Sequence, residues 1–256
     1  MQSPSGVNDA VEPSHAEEQA ERTSRNPGQI EPEWRSSEVG SAPSAPVPLK
    51  QRFVVAAMGD SLSDPRASGG KYLEYLKERC PKSQFDSYGI AGKLVANMRA
   101  RFGHDVLGVG RGPEEPAPKY THVIIFGGVN DLGSDKIAHR PVERIEEDLA
   151  AMYEMAKSSG IRVIAMTIAP WSSCVEFYTE ARGKKTSEIN TWILSQPAAG
   201  TIDHVIDAHS LLACGDPDQL CPRFENRWVR DGLHFNTEGH EVLGRALYEN
   251  VFSSCE

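Results

Sequence analysis

From Arg52 onward, short apolar runs alternate with amphipathic stretches of helical period, and this alternation restricts the chain to few architectures. Phe53-Val54-Val55-Ala56-Ala57-Met58 is apolar at every position and stops at Gly59. A run without polar alternation belongs in a sheet covered on both faces, the usual condition of a parallel strand. Ser83–Tyr88, Thr121–Phe126, Ile161–Ile168 and Asp203–Ile206 read as further strands. Gly70–Arg79, Lys93–Phe102, the stretch after Pro141 and Lys184–Leu194 read as helices between them, and Thr237–Val251 closes the chain as another, capped by Asn236 or Thr237. After Pro141, Val142, Ile145, Leu149, Met152 and Met155 recur every three to four residues, the spacing of a buried helical face. Strands alternating with helices make βαβ units. The expected fold is therefore a single α/β domain with a parallel sheet over residues 51–256.

Residues 1–50 have a different composition. They hold seven of the 17 prolines and eight serines, with Trp34 as their sole aromatic residue. Too little apolar surface is present to offset roughly 1–2 kcal/mol of backbone entropy per residue. A disordered tail or tether is expected here, with a short helix around Ser14–Arg22 as a local option. The N-terminus lacks a basic start followed by an apolar core. Two compartments stay open: the cytosol, or export with the leader removed, which is slightly favoured.

No stretch approaches the roughly 18–20 apolar residues of a membrane-spanning helix. The net charge of −9 argues against nucleic acid as a partner, since a basic face is the usual footprint of such binding. Of the five cysteines, Cys214 and Cys221 flank a Gly/Pro/Asp loop that a disulfide can close or that can carry two thiols. Cys80, Cys174 and Cys255 have no assigned pairing. The spacings do not suggest zinc.

In a parallel sheet, functional groups collect where strands end. Gly59-Asp60-Ser61-Leu62-Ser63 places a serine straight after the first strand, either as a nucleophile or as an ordinary Asp/Ser turn. Gly89-Ile90-Ala91-Gly92 follows the second strand and is either a backbone donor loop or a helix start. Gly127-Gly128-Val129-Asn130-Asp131 follows the third and offers a carboxamide for an oxyanion or an Asx turn. Asp231-Gly232-Leu233-His234 precedes the last helix and reads as a base with its orienting acid, or as a surface turn with an incidental histidine.

Taken in this order, the four blocks resemble those of the SGNH hydrolases, also called GDSL esterases/lipases, over about residues 52–251. The resemblance implies a three-layer α/β/α, flavodoxin-like domain and a serine esterase. It implies Ser61 as nucleophile, His234 as general base and Asp231 orienting it. Its oxyanion hole would be the Ser61 and Gly92 backbone N–H groups with the Asn130 side chain. Asp60, Asp131 and Trp171 are the candidate substrate contacts. No metal or organic cofactor is implied. The family often has proline after the histidine, and this chain has Phe235, which changes the wall beside His234.

The expected partner is a small-molecule or carbohydrate ester, with acetyl or short acyl chains preferred because no long apolar stretch suits a lipid-binding lid. Asp64–Gly70, Leu132–Arg140 and Pro170–Gly183 are the loops expected to shape the site. The last carries Trp171, Phe177 and Tyr178 near Arg182, as a sugar-stacking platform or as a lid or plain packing. A silent binding module, an acyltransferase, a lipid acylhydrolase and a metal-dependent hydrolase using Asp60, Asn130, His234 and His240 are the alternatives.

Overall fold

The computed structural model describes residues 50–116, 118–133 and 140–256. The expected tail, apart from Lys50, and most of the loop Leu132–Arg140 lie outside the described residues. Five parallel strands form the main sheet: β1 (Val54–Gly59), β2 (Gln84–Gly89), β3 (His122–Phe126), β4 (Arg162–Met166) and β5 (His204–Ile206). They lie in the order β2-β1-β3-β4-β5. The helices are α1 (Lys71–Arg79), α2 (Val95–Asp105), α3 (Val129–Gly133), α4 (Val142–Ser158), α5 (Glu180–Ser195), α6 (Ala208–Leu212) and α7 (Thr237–Leu247). The expected α/β architecture is thus found.

Side chains of a strand point alternately to opposite faces, and two cores follow from that rule. Val55, Ala57, Ile124, Phe126, Ile164 and Met166 meet α1 and α7 on one face. Ala56, Met58, Val123, Ile125, Val163 and Ala165 meet α2, α4 and α5 on the other. Burial on both sides is why these strands read as unbroken apolar runs. Each fully buried large aliphatic or aromatic side chain contributes about 1.5–3 kcal/mol relative to exposure.

The chain goes outward from β1 to β2 and then returns across β1 to β3. The loops leaving β1 and β3 therefore diverge and open a crevice between them, the position where α/β sheets hold ligands. Small elements missed by the sequence reading are α3, α6 and an antiparallel hairpin, β6 (Ala213–Cys214) with β7 (Asp216–Leu220). They are too short to show a hydrophobic period. Two disulfides staple the unit. Cys214–Cys221 closes this hairpin, and Cys80–Cys255 ties the end of α1 to the segment after α7. Cys174 is a buried free thiol.

Candidate active site

Ser61 is mounted on a turn that only glycine neighbours permit. Leu62 N donates to Asp60 Oδ1 at 3.0 Å, Ser63 N to Asp60 O at 3.1 Å and Asp64 N to Ser61 O at 3.3 Å. A Cβ on Gly59 would lie 2.5 Å from Ser63 Oγ, and one on Gly89 would lie 2.2 Å from Ser63 C. The ends of β1 and β2 thus pack directly under the turn, with Gly59 opposite Gly89 in the ladder. Arg101 spans both strand ends, donating to Gly59 O at 3.1 Å and to Tyr88 O at 2.5 Å.

His234 reaches this turn from the segment before α7. Its Nε2 lies 2.8 Å from Ser61 Oγ, and its Nδ1 lies 2.5 Å from Asp231 Oδ2. The other oxygen of Asp231 accepts from His234 N at 2.8 Å and Leu233 N at 3.0 Å. The three residues are spread over 173 positions of sequence yet form one hydrogen-bonded line. Asn236 then caps α7 by accepting from Gly239 N at 3.1 Å, so the histidine is held just outside a helix start.

In the loop after β2, Gly92 adopts φ +73°, and a Cβ there would meet nothing within 4 Å. Its N–H and that of Ser61 have no hydrogen-bond acceptor among the described residues. Asn130 Nδ2 donates to Lys93 O at 3.2 Å, which orients the carboxamide and leaves its second N–H available. Asp64, a residue the sequence reading did not single out, accepts from Ala91 N at 3.1 Å through Oδ2 and is held by Arg66. It therefore ties the Gly92 loop to the Ser61 turn. Its signal in the sequence was only its place in the Asp-Ser-Leu-Ser-Asp run.

A model of the GDSL-like Lipase/Acylhydrolase family matches residues 57–242. The chain belongs to this family. As an acylhydrolase of this kind it is a carboxylic ester hydrolase. Its fold is similar to a GDSL-like lipase from Bacteroides thetaiotaomicron VPI-5482, with TM-score 0.65 and 19% identity over 81% of this chain and 91% of that one. A lipase/acylhydrolase from Enterococcus faecalis gives TM-score 0.61 and 20% identity, over 80% of this chain and 98% of that one. An acetyl xylan esterase gives TM-score 0.58 and 20% identity, over 78% of this chain and 100% of that one. No curated protein matches the acylhydrolase.

The charges of the site reinforce one another. Burial acts to raise Asp231, but hydrogen bonds from the His234 side chain and from the His234 and Leu233 N–H groups outweigh it and hold the carboxyl near about 2. The same bond raises His234 above its usual 6.5 against the opposing effect of burial, with the charges of Asp231 and Asp60 adding to it. Asp60 is fully buried beneath Ser61, and desolvation pushes its carboxyl up to about 6. Its Oδ2 has no partner among the described residues.

The three residues expected to contact substrate are buried. Asp60 has no exposed surface, and its role is to brace the turn through Leu62 N. Asp131 is 1% exposed and holds the start of α2 through Val95 N at 2.9 Å while pairing with Arg140 at 2.8 Å. Trp171 is also 1% exposed; its Nε1 donates to Thr186 Oγ1 at 3.0 Å and its ring packs edge-on against Tyr178. Phe235 is buried against the His240 ring at 4.3 Å, so it turns into the core. His240, at 1% exposure between Phe235 and Tyr72, is packed with aromatic rings and stands apart from any cluster of ligating side chains among the described residues.

Proposed function

We propose that this acylhydrolase is a serine esterase in which Ser61 is the nucleophile, His234 the general base and Asp231 its orienting acid. The observation that carries the reading is the continuous line Ser61 Oγ–His234 Nε2 and His234 Nδ1–Asp231 Oδ2 at 2.8 and 2.5 Å. His234 takes the hydroxyl proton as Oγ attacks the ester carbonyl carbon. Asp231 stabilises the resulting imidazolium. The carbonyl oxygen becomes an oxyanion received by the Ser61 and Gly92 N–H groups and by Asn130 Nδ2. Collapse breaks the C–O bond to the alcohol, which leaves with the proton from His234. Water, deprotonated by His234, then attacks the acyl-enzyme, and release of the acid restores Ser61.

An acetyl or short acyl group on a carbohydrate is the favoured substrate. The acetyl xylan esterase among the proteins of like fold supports that choice. The two disulfides support export to an oxidising compartment. The deciding experiment is hydrolysis of p-nitrophenyl acetate by wild type and Ser61→Ala, both checked for folding. Turnover by the wild type and background rates in the variant are expected; equal turnover by both would remove Ser61 from its role.

A further inference from the structure

Trp228 is 96% exposed and stands three residues before Asp231. Its turn is internally bonded: Asn226 Oδ1 accepts from Trp228 N at 3.0 Å and Val229 N at 3.4 Å, and Asn226 O accepts from Arg230 N at 2.8 Å. Asn226 N donates in turn to His234 O at 3.1 Å. One residue therefore both shapes the turn and holds the main chain of the histidine that faces Ser61. Arg227 and Arg230 lie on either side of Trp228 in sequence, both exposed and neither ion-paired among the described residues, with Arg230 Nε donating to Arg227 O at 2.9 Å. Two exposed arginines thus bracket an exposed tryptophan in a chain of net charge −9.

We infer that this turn docks an acidic polysaccharide whose ester enters the site, with Trp228 stacking on a sugar ring and Arg227 and Arg230 pairing with sugar carboxylates. The inference rests on the esterase reading and adds the class of the alcohol. An exposed indole offers a broad apolar face to a sugar ring, and guanidinium groups bind carboxylates in a matching planar fork. The apolar surface of the turn is confined to Trp228 and the half-exposed Val229, bracketed by charges, which suits a narrow polymer track.

The test uses acetylated polygalacturonate and acetylated xylan as polymers and p-nitrophenyl acetate as the small ester. Trp228→Ala is expected to lower the ratio of polymer to small-ester kcat/KM by roughly three- to tenfold, through KM, the scale of one aromatic contact. Arg227→Ala/Arg230→Ala should lower activity on polygalacturonate but not on xylan, and should flatten its salt dependence. In affinity electrophoresis, Ser61→Ala should bind polygalacturonate and Ser61→Ala/Trp228→Ala should not. An unchanged ratio, equal use of both polymers by the wild type, or binding to phosphatidylglycerol vesicles in place of polygalacturonate would overturn the inference. Failure of the wild type on p-nitrophenyl acetate would instead strike the esterase reading, and the binding assay would still decide the docking surface.

Discussion

Gly232 lies directly against the peptide joining Ser173 to Cys174: a Cβ at Gly232 would come within 2.2 Å of Ser173 C and 2.5 Å of Cys174 N. The glycine also holds φ +71°, a conformation that side chains disfavour. It sits between Asp231 and His234, so the loop after β4 acts as a wall that sets the position of this hydrogen-bonded pair. Gly232→Ala should displace that pair. Because misplacement by about 1 Å can cost around 10²-fold, kcat for p-nitrophenyl acetate is expected to fall by that order. The fold should persist by circular dichroism, and an unaltered kcat would show that the wall does not position the pair.

The acid limb of the pH profile should report His234. In the proposed mechanism His234 works neutral, so kcat/KM should rise with pH and reach half its plateau above 6.5, because the Asp231 bond favours the protonated ring. Asp231→Asn should move the midpoint down and lower kcat by about 10³-fold or more, as expected when an orienting carboxylate is removed.

Asp60 couples stability to the same range. Its folded pKa of about 6 lies above the ordinary 3.8, so its neutral form favours the folded state; that advantage is full below 3.8 and is lost progressively as pH rises from there through about 6. Asp60→Asn keeps an acceptor for Leu62 N and removes the buried charge. Urea unfolding at pH 5 and pH 8 should show the wild type losing more stability than the variant, by about 1.4 kcal/mol, the part of the effect that falls above pH 5. Equal losses would mean that the carboxyl does not ionise in this interval.

Asn130→Ala should lower kcat by about 10²–10³-fold with little change in KM, the usual effect of removing one oxyanion donor. Asp64→Ala tests the tie between the Gly92 loop and the Ser61 turn. It should also lower kcat, whereas a variant confined to raising KM would assign Asp64 to ground-state binding.

The two disulfides should differ in weight. Cys80 and Cys255 are 175 residues apart and Cys214 and Cys221 are seven apart. Loop-closure entropy then predicts stabilisation of about 5 kcal/mol for the first and about 2.5 kcal/mol for the second. Paired Cys→Ala variants compared by urea unfolding should keep that order, and a larger loss from Cys214/Cys221 would reverse it.

Strand and helix order could be read from the sequence because apolar period and backbone bonding are local. Val54–Gly59 and His122–Phe126 are buried on both faces, and a chain can write that as an unbroken apolar run. The spacing of Ser61, Asn130 and Asp231–His234 was legible for the same reason, since each motif follows a strand or precedes a helix. Contacts across the fold could not be read in this way. Trp171 became a buried strut because Thr186 and Tyr178 close over it, while Trp228 stayed in solvent on a turn organised by Asn226. Asp131 was claimed by Val95 and Arg140, and Asp64 by Ala91 and Arg66. The sequence by itself determined the elements and the chemical groups at their ends. The tertiary structure alone decided which groups face solvent, because burial depends on neighbours that only the closed sheet and its loops bring together.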